Sequence, residues 1–234
     1  MNSSGLTISH LSAWYGQARA VHDVSIDIPQ GQIVGLLGRN GAGKTTLLRS
    51  VTGLHHERKG TVHFGGTDAS RLSAAQIARL GVSFVREGGA MPLSMTVEEN
   101  LAVGQLLAKY RGVPGLSVDE ILDRIPLLAP LRKRPAGVLS GGQRQSLALA
   151  IAFVSQPSIL LLDEPSGGLS PQTAAGIFDL IGTLVAEAGL TVLVVEQNAV
   201  WMERLSARSF VLDVGVLSDD AWLPTGHSDA QSSQ

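Results

Sequence analysis

Residues 38–45 read Gly38-Arg39-Asn40-Gly41-Ala42-Gly43-Lys44-Thr45, and this stretch decides the predicted fold. It matches the pattern G-x-x-x-x-G-K-[ST], in which a glycine-rich turn wraps its backbone N–H groups around phosphate oxygens. A short apolar segment at 32–37 precedes the loop, and a helical apolar stripe follows it at Leu47, Leu48, Val51 and Leu54. A strand, this loop and a helix in that order predict a phosphate site, whereas an ordinary glycine turn would need neither neighbour.

Each part of the loop has a predicted contact. The helix after it directs its positive dipole end at the phosphates, Lys44 places a charge on the β- and γ-phosphates, and Thr45 offers a hydroxyl to Mg²⁺. The nucleotide-binding residues expected from the loop are Gly38, Arg39, Asn40, Gly41, Ala42, Gly43, Lys44, Thr45 and Thr46.

A second candidate segment is the apolar run Ile159-Leu160-Leu161-Leu162, which ends in Asp163 and Glu164. Ligands of open α/β sheets bind at the carboxyl ends of the strands, so both acids are expected beside the phosphates. Asp163 would support Mg²⁺ through water, and Glu164 would act as the general base on the attacking water. A solvated strand end is the alternative for these two acids taken alone.

Composition limits the class of protein. The 234 residues are 44% hydrophobic and 16% charged with a net charge of −2, which indicates a globular chain and gives no electrostatic reason for a nucleic-acid partner. Cysteine is absent from the sequence, so disulfides and thiolate metal sites are excluded. No apolar run is long enough to cross a bilayer, and residues 1–5 lack the features of a signal peptide. We therefore expect a cytoplasmic chain unless a partner tethers it.

The remaining patterns organise the chain into a sheet and a helical lobe. Apolar residues alternate with polar ones at 24–28, which predicts a half-buried strand. Capping boxes begin at Thr96 and Ser117, and a third helix is expected from Ser140. Strands then alternate with helices, which predicts a mostly parallel sheet and an α/β fold. The expected organisation is a flexible segment at 1–5, a domain at 6–217 with its helical part at about 96–155, and a disordered tail at 218–234.

The segment Leu139-Ser140-Gly141-Gly142-Gln143 is a third signal. Ser140 and Gln143 alone would be another capping box, but that motif does not require Gly141 and Gly142, which weaken a helix start. Paired glycines beside a helix dipole indicate that an anion approaches the backbone closely.

With the phosphate loop and the acidic strand end in matching order and spacing, the chain resembles the ATP-binding cassette family over residues 6–217. The resemblance implies an α/β P-loop NTPase fold with a mostly parallel sheet, an N-terminal antiparallel β subdomain and an α-helical subdomain. It also implies an enzyme that hydrolyses Mg·ATP, in which two cassettes, identical or different, sandwich two nucleotides. Ser140, Gly141 and Gly142 would complete the other cassette's site, and residues 166–171 would connect the two sites.

Three further positions follow from the resemblance. Tyr15 matches the aromatic residue that stacks on adenine, with a core aromatic as the alternative. Glu87 stands where the family usually has a glutamine that ligates Mg²⁺, with a solvated loop acid as the alternative. Gln197 stands where most members hold the γ-phosphate with a histidine, and its amide donates hydrogen bonds without becoming cationic. The expected catalytic set is Glu164, Gln197 and Lys44, and the expected metal set is Thr45, Asp163 and Glu87.

These departures, together with residues 95–101, resemble one branch of the family, the ATP-binding subunits of branched-chain amino acid importers and their urea and amide relatives. That resemblance implies a peripheral position at the cytoplasmic face of the cell membrane, integral membrane permease subunits docked near residues 87–95, and a solute-binding protein that acts indirectly. Import of urea or short amides is one alternative, and a soluble cassette ATPase outside transport is another. His55 and His56 could suggest a metal site, but adjacent side chains diverge, so a turn is the better interpretation.

Overall fold

The fold comes from a computed structural model that describes residues 4–205 and 207–218. Within these residues the strands are, in chain order, β1 (Ser4–Tyr15), β2 (Ala18–Pro29), β3 (Ile33–Leu37), β4 (Arg58–Phe64), β5 (Thr67–Asp68), β6 (Val82–Val85), β7 (Ile159–Asp163), β8 (Thr191–Glu196), β9 (Arg208–Asp213) and β10 (Val216–Leu217). The helices are α1 (Lys44–Val51), α2 (Ala74–Arg79), α3 (Val97–Arg111), α4 (Val118–Arg124), α5 (Gly141–Val154), α6 (Pro171–Ala188) and α7 (Ala199–Arg204).

The central sheet positions the candidate site. Its strand order among the described residues is β10-β9-β3-β8-β7-β6, and every pair is parallel except β10 with β9. The register pairs Leu37 with Glu196 and Asp163 with Val195, so β3, β8 and β7 end side by side. The segments that follow these three strands therefore meet at one edge of the sheet, as expected for a ligand site in an α/β fold.

Alternate residues of the parallel strands enter two different cores, which is why these strands are apolar throughout rather than alternating. Leu161 and Val195 pack with α1 and the antiparallel sheet. Leu160, Leu162 and Val194 pack on the other face with α5 and α6. The sheet is thus covered on both faces, as the sequence predicted.

A second, antiparallel sheet holds the N-terminal part of the chain, with the order β2-β1-β4-β5 among the described residues. The predicted alternation in β2 is present, because Val24, Ile26 and Ile28 are buried while the residues between them are exposed. The first residues of β2 lie beside the phosphate loop, since a Cβ added at Gly43 would meet the Ala20 carbonyl oxygen at 2.5 Å.

The helices α3, α4 and α5 form the helical lobe. The capping boxes predicted at Thr96 and Ser117 are present in the structure. α3 and α5 pack closely because Gly104 has no side chain, and a Cβ there would lie 2.6 Å from the Ile151 carbonyl oxygen. In the part of the chain that the structure describes, no helix combines the length and the apolar character that a bilayer crossing requires.

The expected chain ends need a correction where the structure describes them. Ser4 and Gly5 belong to β1, so the flexible segment expected at residues 1–5 does not include them. Gly5 is held because its carbonyl oxygen accepts a hydrogen bond of 2.9 Å from the Gly65 N–H. Ser218, the first residue of the expected tail, donates its N–H to the Val211 carbonyl oxygen at 2.8 Å. Residues 1–3 and 219–234 lie outside the described residues.

Candidate nucleotide site

The phosphate loop connects β3 to α1 as the motif predicted. Gly41 and Gly43 have φ values of 82° and 101°, a region that favours glycine. Gly43 precedes the first helical residue, Lys44, and among the described residues no side chain caps this helix end. The first backbone N–H groups of α1 therefore remain available to an anion, which is the property a phosphate site needs.

Lys44 is buried in the loop and makes contacts on two sides. Its side chain is 3% exposed, and its Nζ donates to the carbonyl oxygens of Gly38 and Arg39 at 2.7 and 3.0 Å. The same Nζ lies 2.9 Å from Oε1 of Glu164. The fold thus brings together the lysine predicted to hold phosphate and the acid predicted to activate water, although they are far apart in sequence.

The residues predicted to support Mg²⁺ lie on the other side of the loop. Thr45 Oγ1 donates to Asp163 Oδ1 at 3.0 Å. Glu87 lies near the loop that follows β7, because a Cβ added at Gly167 would lie 2.7 Å from Glu87 Oε1. Burial raises the pKa of Asp163, the hydrogen bond from Thr45 opposes that shift, and the charges of Glu164 and Glu87 add to it. A cation beside Asp163 would therefore relieve an electrostatic cost.

The donor atoms fit a small, hard cation. Thr45, Asp163 and Glu87 offer only oxygen atoms, which Mg²⁺ prefers, and Mg²⁺ commonly binds one or two carboxylates together with substrate phosphates and water. No group of three or more His, Asp or Glu side chains that could hold a metal occurs among the described residues. The protein atoms alone thus do not complete the coordination shell of Mg²⁺, as expected for an ion that binds together with a nucleotide.

Gln197, which directly follows β8, contacts the carboxylate of Glu164. Its Nε2 donates to Glu164 Oε2 at 2.7 Å, so Glu164 is held between the Lys44 ammonium and this amide. Glu164 has a φ of 45°, which L residues rarely adopt. Its N–H donates to the Val195 carbonyl oxygen at 3.0 Å, which helps to keep this backbone conformation.

Sequence reasoning missed Glu196, which is 2% exposed at the end of β8. Its two carboxylate oxygens accept the N–H groups of Ser166 and Gln197 at 2.9 and 3.1 Å. Burial raises the pKa of Glu196, and these hydrogen bonds oppose the shift. The signal was available, because an acid at the end of an otherwise apolar buried strand needs internal partners.

The segment 139–143 begins α5 with a capping box in which Ser140 Oγ accepts the Gln143 N–H at 3.3 Å. Its two glycines differ. Gly142 is buried, and a Cβ there would lie 2.3 Å from Thr173 Cγ2, so packing of α5 on α6 explains this glycine. Gly141 is exposed, with Leu169 at 3.4 Å from an added Cβ. Packing thus accounts for Gly142 without an anion, whereas the exposed Gly141 leaves room for one, and a contact of either glycine with an anion stays a prediction.

Tyr15 lies at the tip of the β1–β2 hairpin and is 49% exposed, so it is not the core aromatic that was its alternative. Its ring centroid lies 4.6 Å from that of His55, with an angle of 51° between the planes. One side of the tyrosine ring is thus in contact with the protein, while about half of the residue remains open to solvent.

Comparison with known proteins agrees with this geometry. The ABC transporter family profile matches residues 21–167. The chain belongs to the ABC transporter family. The cassette is 39% identical over 210 residues to the "High-affinity branched-chain amino acid transport ATP-binding protein BraG" of Pseudomonas aeruginosa, covering 90% of this chain and 89% of the relative. It is 37% identical to the "Probable branched-chain amino acid transport ATP-binding protein LivF" of Archaeoglobus fulgidus, covering 88% and 86%.

A solved structure gives the same fold. The crystal structure of the ADP conformation of an ATP-binding cassette of an ABC transporter superposes with a TM-score of 0.79 at 27% identity, covering 92% of this chain and 89% of the other. This cassette is accordingly an α/β P-loop NTPase, a subunit that binds and hydrolyses ATP to drive transport.

Proposed function

We propose that this cassette powers the uptake of branched-chain amino acids through separate membrane subunits. The observation that carries the proposal is the likeness, over nearly the whole length of both proteins, to two ATP-binding subunits named for transport of these solutes. Gln197 bears on the hydrolytic part of this proposal, because the residue that departs from the usual histidine is hydrogen-bonded to Glu164 at the centre of the site.

The geometry supplies a hydrolytic mechanism. Lys44 and the N–H groups that begin α1 hold the β- and γ-phosphates, with Arg39, Asn40 and the other loop residues around them. Glu164 accepts a proton from a water that attacks the γ-phosphorus, the bond from that phosphorus to the bridging oxygen breaks, and ADP leaves with that electron pair. Gln197 orients Glu164 and donates a hydrogen bond to the γ-phosphate. Mg²⁺, held by Thr45, Asp163 and Glu87, would neutralise charge on the phosphate oxygens.

The site is expected to be completed by a second cassette. The segment 139–143 begins a different helix from the phosphate loop, and no hydrogen bond or ion pair found between described residues joins the two. Ser140 and Gly141 are exposed at this helix N-terminus, where they would meet the γ-phosphate held by another cassette. The second cassette would be an identical chain or a related one.

An apolar groove beside Glu87 is the proposed docking surface for the permease subunits. The residues that line it include Val85 and Arg86, which directly precede Glu87 in the chain, and Val103, Leu107 and Ile151 of α3 and α5. A segment of a membrane subunit seated there would touch both the loop that carries Glu87 and the lobe that carries the signature segment. In this proposal the cassette lies at the cytoplasmic face of the membrane, and the solute-binding protein acts through the permease.

The test is reconstitution of the cassette with its permease and solute-binding partners in lipid vesicles. We expect leucine, isoleucine or valine to stimulate ATP hydrolysis, and the matched Glu164→Gln cassette to show no stimulation. Stimulation by urea or short amides alone would favour the alternative importers. A flat response to all of these solutes, with no integral membrane protein co-purifying, would reject import and favour a soluble ATPase.

A further inference from the structure

We propose that His55 is a positioning residue for the base of the nucleotide, because it fixes the ring of Tyr15 against which adenine stacks. The inference rests on the proposed function, in which Tyr15 is the stacking residue. It assigns a role to a histidine that the sequence placed only in a turn.

His55 is itself held in a fixed orientation. The residue is 9% exposed, and its Nε2 lies 2.8 Å from the Trp14 carbonyl oxygen. A carbonyl oxygen can only accept, so Nε2 carries the proton and donates it. The imidazole is thus anchored to Trp14, the residue directly before Tyr15. The centroid of its ring lies 4.6 Å from the centroid of the tyrosine ring. Two rotatable side chains therefore form one oriented pair.

The backbone around His55 clamps the same turn. The N–H of Trp14 donates to the Glu57 carbonyl oxygen at 2.8 Å, and the N–H of Gly16 donates to Glu57 Oε2 at 3.0 Å. The three residues 14–16 are therefore all contacted by the segment 55–57. An aromatic residue on a hairpin tip would otherwise sample several positions, since such tips are mobile.

The same segment links the base to the phosphates. His55 N–H donates to the Arg49 carbonyl oxygen at 3.0 Å, which ties the histidine to the last turn of α1. α1 begins at Lys44 and has 8 residues, so it spans about 12 Å at 1.5 Å per residue. One short, rigid helix thus has the phosphate site at its first residue and the support of Tyr15 just beyond its end.

The test compares ATP with inorganic tripolyphosphate, which offers the same charged groups without a base. Binding of each, with Mg²⁺, is measured by calorimetry for the whole cassette and for His55→Ala, His55→Phe and His55→Gln. Because the contact between two aromatic rings contributes to the free energy of ATP binding, we expect His55→Ala to weaken ATP binding about three- to tenfold. Tripolyphosphate binding should stay within about twofold of the wild-type value. His55→Phe keeps a ring and should retain most of the ATP affinity. His55→Gln keeps a donor without a ring and should resemble His55→Ala.

Two further variants show whether a change in affinity is specific to His55 and whether it depends on stacking by Tyr15. His56 is an exposed neighbour, and His56→Ala should change the affinity for neither ATP nor tripolyphosphate. Tyr15→Ala should lose ATP affinity selectively, and if it does not, the stacking role in the proposed function fails together with this inference. If Tyr15→Ala is selective but His55→Ala is neutral or binds ATP more tightly, His55 does not position the ring and the inference alone is overturned. Equal loss of ATP and tripolyphosphate affinity in the His55 variants would also overturn it, because a general structural role predicts that result.

Discussion

Lys44 and Glu164 form an ion pair of 2.9 Å at the centre of the site, with the lysine side chain only 3% exposed. In the proposed mechanism both groups act on the same nucleotide, the lysine on the γ-phosphate and the glutamate on the attacking water. In that mechanism the Glu164 carboxylate and a phosphate oxygen would share the same ammonium as partner. Glu164 would therefore compete with the nucleotide for Lys44 as well as act as its general base.

The first prediction follows from that competition. Glu164→Gln should bind Mg·ATP several-fold more tightly than the wild type, because the neutral amide no longer pairs with Lys44 or repels the triphosphate. Its turnover should fall on the order of 100-fold or more, since the general base is lost. Calorimetry at a concentration where the cassette is monomeric measures the affinity, and sedimentation with ATP should show a stable dimer. Lys44→Ala is the control and should lose nucleotide binding; weaker ATP binding by Glu164→Gln would contradict the competition.

The second prediction concerns Gln197. Gln197→Ala removes the donor to Glu164 and should lower kcat on the order of tenfold or more while KM for ATP changes little. Because an amide does not titrate near neutrality, the wild-type rate should show no pH step from this residue. Gln197→His should retain turnover and add a step near the ordinary histidine pKa of about 6.5. Unchanged turnover in Gln197→Ala would remove this residue from the mechanism.

The third prediction separates the two glycines of the signature segment. Gly142→Ala should destabilise the fold by about 1–3 kcal/mol, because its Cβ would lie 2.3 Å from Thr173 Cγ2. Gly141→Ala is the matched control, since its added Cβ meets only Leu169 at 3.4 Å, and it should be neutral or slightly stabilising. Urea unfolding measures both. Thr173→Ser removes the opposing methyl group, so adding it to Gly142→Ala should recover much of the lost folding stability. A double variant no more stable than Gly142→Ala alone would show that the contact with the Thr173 methyl group is not the cause.

The fourth prediction is a pH dependence of stability at Glu196. Burial raises its pKa above the ordinary value of 4.5, and the negative charge of Glu164 adds to this shift. A raised folded-state pKa means that the native state holds the proton more tightly, so stability is fully present below about pH 4.5 and is lost as pH rises through the folded pKa. Glu196→Gln cannot lose this proton, and its stability relative to wild type should therefore increase with pH.

Urea unfolding of both proteins from pH 4 upward tests this sign. Glu120 provides a control of opposite direction, because a backbone hydrogen bond from Ser117 lowers its pKa. Glu120→Gln should therefore be less stable than wild type above the ordinary glutamate value, and this difference should shrink as pH falls through the lowered pKa. Parallel pH profiles for wild type and Glu196→Gln would show that this carboxyl group does not couple to folding.

Residue type and spacing were enough to predict the local structure of the site. The loop at 38–45, the acidic strand end at Asp163 and Glu164, and the helix start at Ser140 depend on residue type and spacing within one segment, and the structure has each of them. The two-sided burial of the parallel strands was also predictable, because a run of apolar residues has no exposed face.

Which of these segments touch depends on long-range packing and could not be predicted from any one segment. Lys44 and Glu164 meet because β8 lies between β3 and β7, and strand order is set by packing of the whole sheet rather than by any local pattern. Glu196 and His55 acquired their partners in the same way, through backbone groups that long-range folding delivers to them. The glycine at position 142 is explained by the surface of α6. The loss of stability from an added methyl group depends on which atoms lie opposite it.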